Sequence, residues 1–365
     1  MIVLVLSMHA ADTYSTLGNW YYQEKSHVGH ATLFAFWTYQ AFLQAFFMGL
    51  LFFLAGYFVP RAFDRKGARA FLRDRWKRLG TPTLFYVFIL GPLTEYYIAG
   101  SWRPNPRISF LHEWIIYIER LRFPGGTGPM WFCAALLIFC WVYVLVRALL
   151  PRQPSGDGHA APPSNGMVLS LVVAIAAVTF CVRLVQPSNT SLYNMHLADF
   201  SQYVLLFGAG ILAYRRRWLE RIPFDFGVRW LVAALVLGAV IWLCLAAFGG
   251  AAENDFARYG GGLYWQSAAM NFWESLVCVG MCLGLIVVYR EHVNTAGRFA
   301  TFLADNAFAV YLFHPPILIA IALALRGVLL PPAIKVVVLT VLTAIASFGL
   351  SAAMLRRTPV LRAML

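Results

Sequence analysis

The chain has 365 residues, 60% of them hydrophobic and only 12% charged, whereas a soluble domain carries about 25% charged residues. That balance excludes a soluble globular protein and points to an integral membrane protein. The formal charge of +13 is therefore read first as membrane topology and lipid-headgroup contact, not as a nucleic-acid surface.

The chain opens MIVLVLSMHAADTYS, an apolar run that leads directly to His9. A bilayer span takes roughly 20 residues at about 1.5 Å of rise each, so this run is too short to cross. It reads as the outer part of a first, incomplete helix whose beginning is expected before Met1. Neither a basic n-region nor a small-residue cleavage site accompanies it, so it does not read as a cleaved signal.

Nine longer apolar segments follow, over 39–59, 82–100, 129–150, 167–186, 200–214, 229–248, 268–289, 306–325 and 333–355. The segment 200–214 is short, and 306–325 is interrupted by Pro315 and Pro316. With the opening stub they make about ten transmembrane helices in one all-α domain over 1–365, with no soluble domain. Between the second and third spans lies PRAFDRKGARAFLRDRWKRLG, with eight basic residues from Arg61 to Arg78. Placing that loop in the cytoplasm and alternating from there puts most Lys and Arg inside, as the positive-inside rule requires. The C-terminus then falls on the cytoplasmic side. Trp20, Tyr21 and Tyr22, and Tyr96 and Tyr97, fall at outer-interface aromatic belts, and Trp102, Trp114 and Trp265 serve either as interface anchors or for sugar stacking. The Pro/Gly/Ser-rich stretch 151–166 reads as a cytoplasmic linker.

The six cysteines (Cys133, Cys140, Cys181, Cys244, Cys278 and Cys282) all lie in apolar runs and read as small buried hydrophobes. His27 and His30 have an H-x-x-H spacing with no third ligand nearby, so no metal site is expected. Ala45, Gly49 and Gly56 share one face of the second span, either as a packing seam or as the lining of a substrate tunnel.

Three ionisable residues sit at membrane depth, where they are costly and default to functional hypotheses. His9 suits proton transfer, or hydrogen bonding at the outer interface. Glu274 lies about 9 Å into its span, at a depth compatible with His9. It needs a partner, which an imidazole could supply, or it is an interfacial glutamate. His314 precedes Pro315 and Pro316, which lack N–H groups, so it can hydrogen-bond the carbonyls they free.

FFMGLLFFLAGYFVP, the basic loop ending RWKRLGTP, then GPMWFCAALLIF and YLFHPPI, taken in this order, resemble the acyltransferase-3 superfamily of bacterial membrane acyltransferases. That group includes polysaccharide O-acetylases and periplasmic-glucan succinyltransferases, and the resemblance covers essentially the whole chain. The family's first-helix motif is Arg, ten residues, then His. The His matches His9, and the Arg is expected before Met1, with two residues between them. Its Arg-x-x-Arg motif matches Arg75 and Arg78, a tryptophan at the start of the fourth span matches Trp131, and Tyr311 and His314 fall in its Tyr-Leu-x-x-His stretch. Glu274 resembles a glutamate of the glucan-succinylating branch.

The resemblance implies an O-acyltransferase in the bacterial inner membrane. It would move an acyl group, acetyl or succinyl, from cytoplasmic acyl-CoA to a hydroxyl of an extracytoplasmic carbohydrate or related acceptor. No cofactor is expected to be bound, and acyl-CoA is the donor substrate. His9 would act as general base or acyl carrier, with Glu274 orienting it. Arg75 and Arg78, three apart, would clamp a coenzyme A phosphate, or are plain positive-inside charge. Trp131, Tyr311 and His314 are substrate or structural candidates. A secondary transporter is the alternative reading of ten spans with buried ionisable residues and a proline-broken helix.

Overall fold

The computed structural model describes residues 1–18, 20–24, 28–100, 108–150, 161–188, 190–251, 256–293 and 297–353. His27, Trp102, residues 151–160 of the linker and the C-terminal residues 354–365 lie outside them. Apart from one isolated bridge between Leu192 and Met195, the regular structure among the described residues is helical. The long elements are α1 (Ile2–Ser15), α2 (His30–Lys66), α3 (68–99), α4 (Phe110–Glu119), α5 (Trp131–Leu149), α6 (Asn165–Arg183), α7 (Phe200–Arg215), α8 (Phe224–Phe248), α9 (Trp265–His292), α10 (Arg298–Ala324) and α11 (Pro332–Ala353).

Eight helices among the described residues are long and apolar enough to cross a membrane, and the chain is an all-α integral membrane protein. The difference from ten has two sources. Helix α1 has 14 residues, too few to cross. Helix α3 is a single helical path in which α turns alternate with π turns at Trp76–Gly80, Tyr86–Leu90 and Thr94–Ala99. Each of its α pieces is therefore short.

The chain forms two compact units. The first comprises Met1–Gln40, Arg73–Phe139 and Ala296–Leu365, and the second Ala41–Leu72 and Cys140–Thr295.

In the first unit α1 packs on α10 and α11. Leu6, Ala10 and Tyr14, four apart, lie on one face of α1 and are fully buried. Ala10 and Tyr14 pack with Phe36, Leu318, Ala322, Val336 and Leu339, and Leu6 with Val310 and Phe348. Two hydroxyls of α1 turn back to its own carbonyls, Ser7 to Leu4 at 2.9 Å and Thr13 to His9 at 2.9 Å, so these two need no solvent. The helix stops at Thr16, whose φ of 60° is left-handed.

In the second unit α9 is the inner helix, packed on α6 and α8. The small-residue face of α2 is a packing seam. The Ala45 carbonyl accepts from Gln202 Nε2 at 2.9 Å. A Cβ on Gly56 would collide with the carbonyl oxygen of Phe207, and one on Gly210 with the carbonyl of Phe53, so α2 and α7 approach backbone to backbone. Arg215 closes one end of this pair with a two-pronged contact to Asp64, at 2.6 and 3.1 Å.

The outward faces of α5, α6 and α8 carry exposed Leu, Val, Ile and Trp side chains, as lipid contact requires. This corrects part of the cysteine reading. Cys133, Cys140, Cys278 and Cys282 are buried, but Cys181 and Cys244 lie exposed on such faces, where the apolar solvent is lipid instead of a core.

Candidate active site

His9 lies on α1, and its Nδ1 stands 3.2 Å from Oδ2 of Asp12, one turn further on. A carboxylate only accepts, so in the neutral imidazole Nδ1 carries the proton and Nε2 the lone pair. Asp12 is held in turn. Its Oδ1 accepts from Gln40 Nε2 at 2.7 Å, and Gln40 Oε1 accepts from Ser15 Oγ at 3.3 Å. The Asp12 side chain is 9% exposed and that of His9 21%, so the carboxylate is enclosed while the imidazole keeps an open side. A base oriented by a buried carboxylate is the arrangement that nucleophile activation uses.

The third of the expected ionisable residues, His314, joins the first. The rings of His9 and His314 are nearly parallel, 13° apart, with centroids separated by 5.4 Å. In a regular helix the N–H at position 315 would bond the carbonyl of Tyr311, and Pro315 has none. His314 Nδ1 takes that carbonyl instead, donating at 2.8 Å. The predicted link to a proline-freed carbonyl is thus present, and α10 continues unbroken through both prolines. The same bond fixes the His314 tautomer with Nε2 as acceptor, and that atom is buried without a partner among the described residues.

Tyr311, one turn earlier, donates its hydroxyl to the carbonyl of Pro129. That carbonyl lies in the turn Gly128–Met130, directly before Trp131 opens α5. Tyr311 and the GPMW stretch, far apart in sequence, therefore meet. Trp131 is half-buried, with its ring edge-on to Phe132.

The loop after α1 returns over His9. Trp20 stacks on the imidazole with centroids 3.9 Å apart and planes at 14°. Three contacts fix this loop. The Tyr21 and Tyr86 hydroxyls meet at 2.8 Å, Lys335 Nζ donates to Glu24 Oε1 at 2.6 Å, and the Glu24 N–H donates to the Thr13 carbonyl at 2.9 Å. Burial pushes the Tyr21 phenol well above its ordinary pKa, so it remains protonated.

The remaining candidates lie elsewhere. Arg75 ends the first α piece of α3 and is half-buried, whereas Arg78, inside the next π turn, is exposed and 3.4 Å from Asp74. A π turn is wider than an α turn, so a spacing of three does not place the two residues on one face as it would on an α-helix.

The expected pairing of Glu274 with His9 is corrected. Glu274 belongs to the second unit, where its Oε2 takes Arg183 Nη1 at 2.9 Å. Arg183 also donates to Asp199 at 2.8 Å and to Asn271 at 2.5 Å, and it is 3% exposed. Its full charge and several donors let one guanidinium hold two carboxylates at once, one on each terminal nitrogen. Asp12 supplies the carboxylate at His9 instead. No group of three or more His, Cys, Asp and Glu able to hold a metal ion occurs among the described residues.

Reading the sequence singled out His9, His314 and Tyr311 but not Asp12, Trp20 or Arg183. Asp12 had a signal in its i+3 spacing from His9. Arg183 had one in being a cation at the end of an apolar span with a lone carboxylate in another. Trp20 had none beyond its place in an aromatic cluster.

The acyltransferase-3 family model, described as an acyltransferase domain, matches residues 1–353. The chain belongs to this family and is a membrane acyltransferase. Among curated proteins it is similar to glucans biosynthesis protein C of Salmonella gallinarum (strain 287/91 / NCTC 13346). The two are 24% identical over 334 residues, 87% of this chain and 79% of the relative. No solved structure matches.

Proposed function

We propose that the protein is an O-acyltransferase that moves an acyl group, acetyl or succinyl, from acyl-CoA to a hydroxyl of an extracytoplasmic carbohydrate or related acceptor, with His9 as general base. The observation that carries this reading is the His9–Asp12 pair, which leaves Nε2 as a lone-pair nitrogen in a membrane acyltransferase. An alcohol is a poor nucleophile at neutral pH, and a base within hydrogen-bond reach accelerates its attack roughly 10²- to 10⁴-fold. Asp12 holds the imidazole in its reactive tautomer and stabilises the imidazolium that forms. The relative's name supports a glucan-like acceptor.

Arg75 and Arg78, in the basic stretch from Arg61, are the donor-binding candidates, because coenzyme A carries phosphate charge that arginine recognises. The positive-inside distribution supports an inner-membrane protein with that stretch and the C-terminus in the cytoplasm.

The test uses purified protein with acetyl-CoA or succinyl-CoA and a glucan oligosaccharide. Thiol release coupled to a mass gain of the oligosaccharide supports the reading. No consumption of either donor by folded protein, or accumulation of a solute in proteoliposomes without acyl transfer, overturns it. Arg75→Ala with Arg78→Ala is expected to weaken acyl-CoA binding about tenfold, the loss of one charge-assisted hydrogen bond, with unchanged helical content. Undiminished binding removes the two arginines from the donor site.

A further inference from the structure

An aromatic side chain at a membrane interface ordinarily keeps its polar atom wet. Trp20 does not. Its Nε1 is buried and has no acceptor among the described residues, while its ring lies flat on His9 at 3.9 Å. A buried indole N–H nearly always finds a partner, so an orphan calls for an explanation. Lack of restraint does not supply one, since the bonds from Tyr21 to Tyr86 and from Glu24 to Lys335 and Thr13 tie the loop down immediately after Trp20. The indole is held in place with its donor unused, its ring stacked on the imidazole that takes the proton.

We propose that Trp20 Nε1–H is the donor that stabilises the negative oxygen formed on the acyl carbonyl, so that Trp20 is a second catalytic residue beside His9. The proposal rests on the reading of His9 as the base. The acceptor hydroxyl gives its proton to His9 Nε2 as its oxygen forms a C–O bond to the thioester carbonyl carbon, and the carbonyl π pair moves onto oxygen. That oxygen takes the hydrogen bond from Trp20. When the pair returns, the C–S bond breaks and the thiolate leaves with the proton from His9. Indole suits this task. It only donates, it carries no charge whose burial must be compensated, and its fixed dipole acts most strongly where water is excluded.

The experiment measures steady-state acyl transfer by the purified full chain carrying Trp20→Phe, which keeps an aromatic ring and removes the N–H. A second variant carries benzothienylalanine at position 20, which keeps the indole shape with sulfur in place of N–H. Both are expected to lose about 10²- to 10³-fold in kcat, with KM for donor and acceptor within about twofold of the parent. Parental kcat in either variant overturns the proposal, and so does a change confined to KM. His9→Ala, assayed alongside, separates the two claims. If it abolishes turnover while Trp20→Phe is fully active, only the donor role fails. If it retains turnover, the base fails and the donor role with it.

Discussion

His9 and Asp12 stand one turn apart on the same short helix, with Nδ1 of one 3.2 Å from Oδ2 of the other. The pair is local, but its rigidity is not, because Gln40 of α2 holds the second carboxylate oxygen. Asp12→Asn keeps the shape and an oxygen for Gln40 but removes the charge that selects the tautomer. Acyl transfer is expected to fall roughly 10²- to 10⁴-fold in kcat with the fold intact, as measured by thiol release beside circular dichroism. An undiminished rate would separate Asp12 from catalysis.

Pro315 and His314 form a second local device. Pro315→Ala returns an N–H to position 315, which competes with His314 Nδ1 for the Tyr311 carbonyl. A helix gains from the exchange, since proline costs about 3 kcal/mol relative to alanine in a helix interior. The unfolding temperature in detergent is therefore expected to hold or rise. Turnover is expected to fall about tenfold as the imidazole loses its anchor, a bond worth roughly 1 kcal/mol. A variant as active as the parent would show that the anchored geometry of His314 does not matter.

Arg183 holds Glu274, Asp199 and Asn271 together in the second unit. Arg183→Ala leaves two carboxylates without their cation, and a loss of about 3–5 kcal/mol is expected from breaking such a buried pair. Glu274→Gln should cost less, because Arg183 keeps Asp199 and an amide oxygen can still accept. Thermal unfolding of the two variants checks the order, and equal stability would mean that the network does not brace the unit.

The α2–α7 seam makes a steric prediction. Gly56→Val drives a side chain into the Phe207 carbonyl and should destabilise the protein by about 1–3 kcal/mol. Gly208→Ala on α7 meets nothing within 4 Å and serves as the tolerated control. Denaturation in detergent should rank them in that order, and a Gly56→Val protein as stable as the control would contradict the close approach.

Apolar run length carried the helical class and most of the spans into view, because a bilayer demands long uninterrupted hydrophobic stretches. It did not carry the π turns of α3, since a wider turn changes hydrogen-bond partners without changing composition. At the site, His9 and His314 were visible because an ionisable group in an apolar run is costly wherever it points. Their partners were harder to read. Asp12 looked like the polar end of a helix, and Arg183 like the flank of a span. For Glu274 an imidazole partner and an interfacial place were both open, because depth along a helix gives height in the bilayer but not the neighbour across it. Trp20 reaches His9 only through the return of a loop fixed by Tyr86 and Lys335, which are distant in sequence.

The role of His9 is tested most directly by acyl-CoA turnover in the purified protein carrying His9→Ala, compared with the parent at equal amounts of folded protein. A base acting on an alcohol contributes roughly 10²- to 10⁴-fold, so the variant is expected to fall to about 1% of parental turnover or less while still binding acyl-CoA. Turnover retained at the parental level would contradict the assignment of His9 as the base.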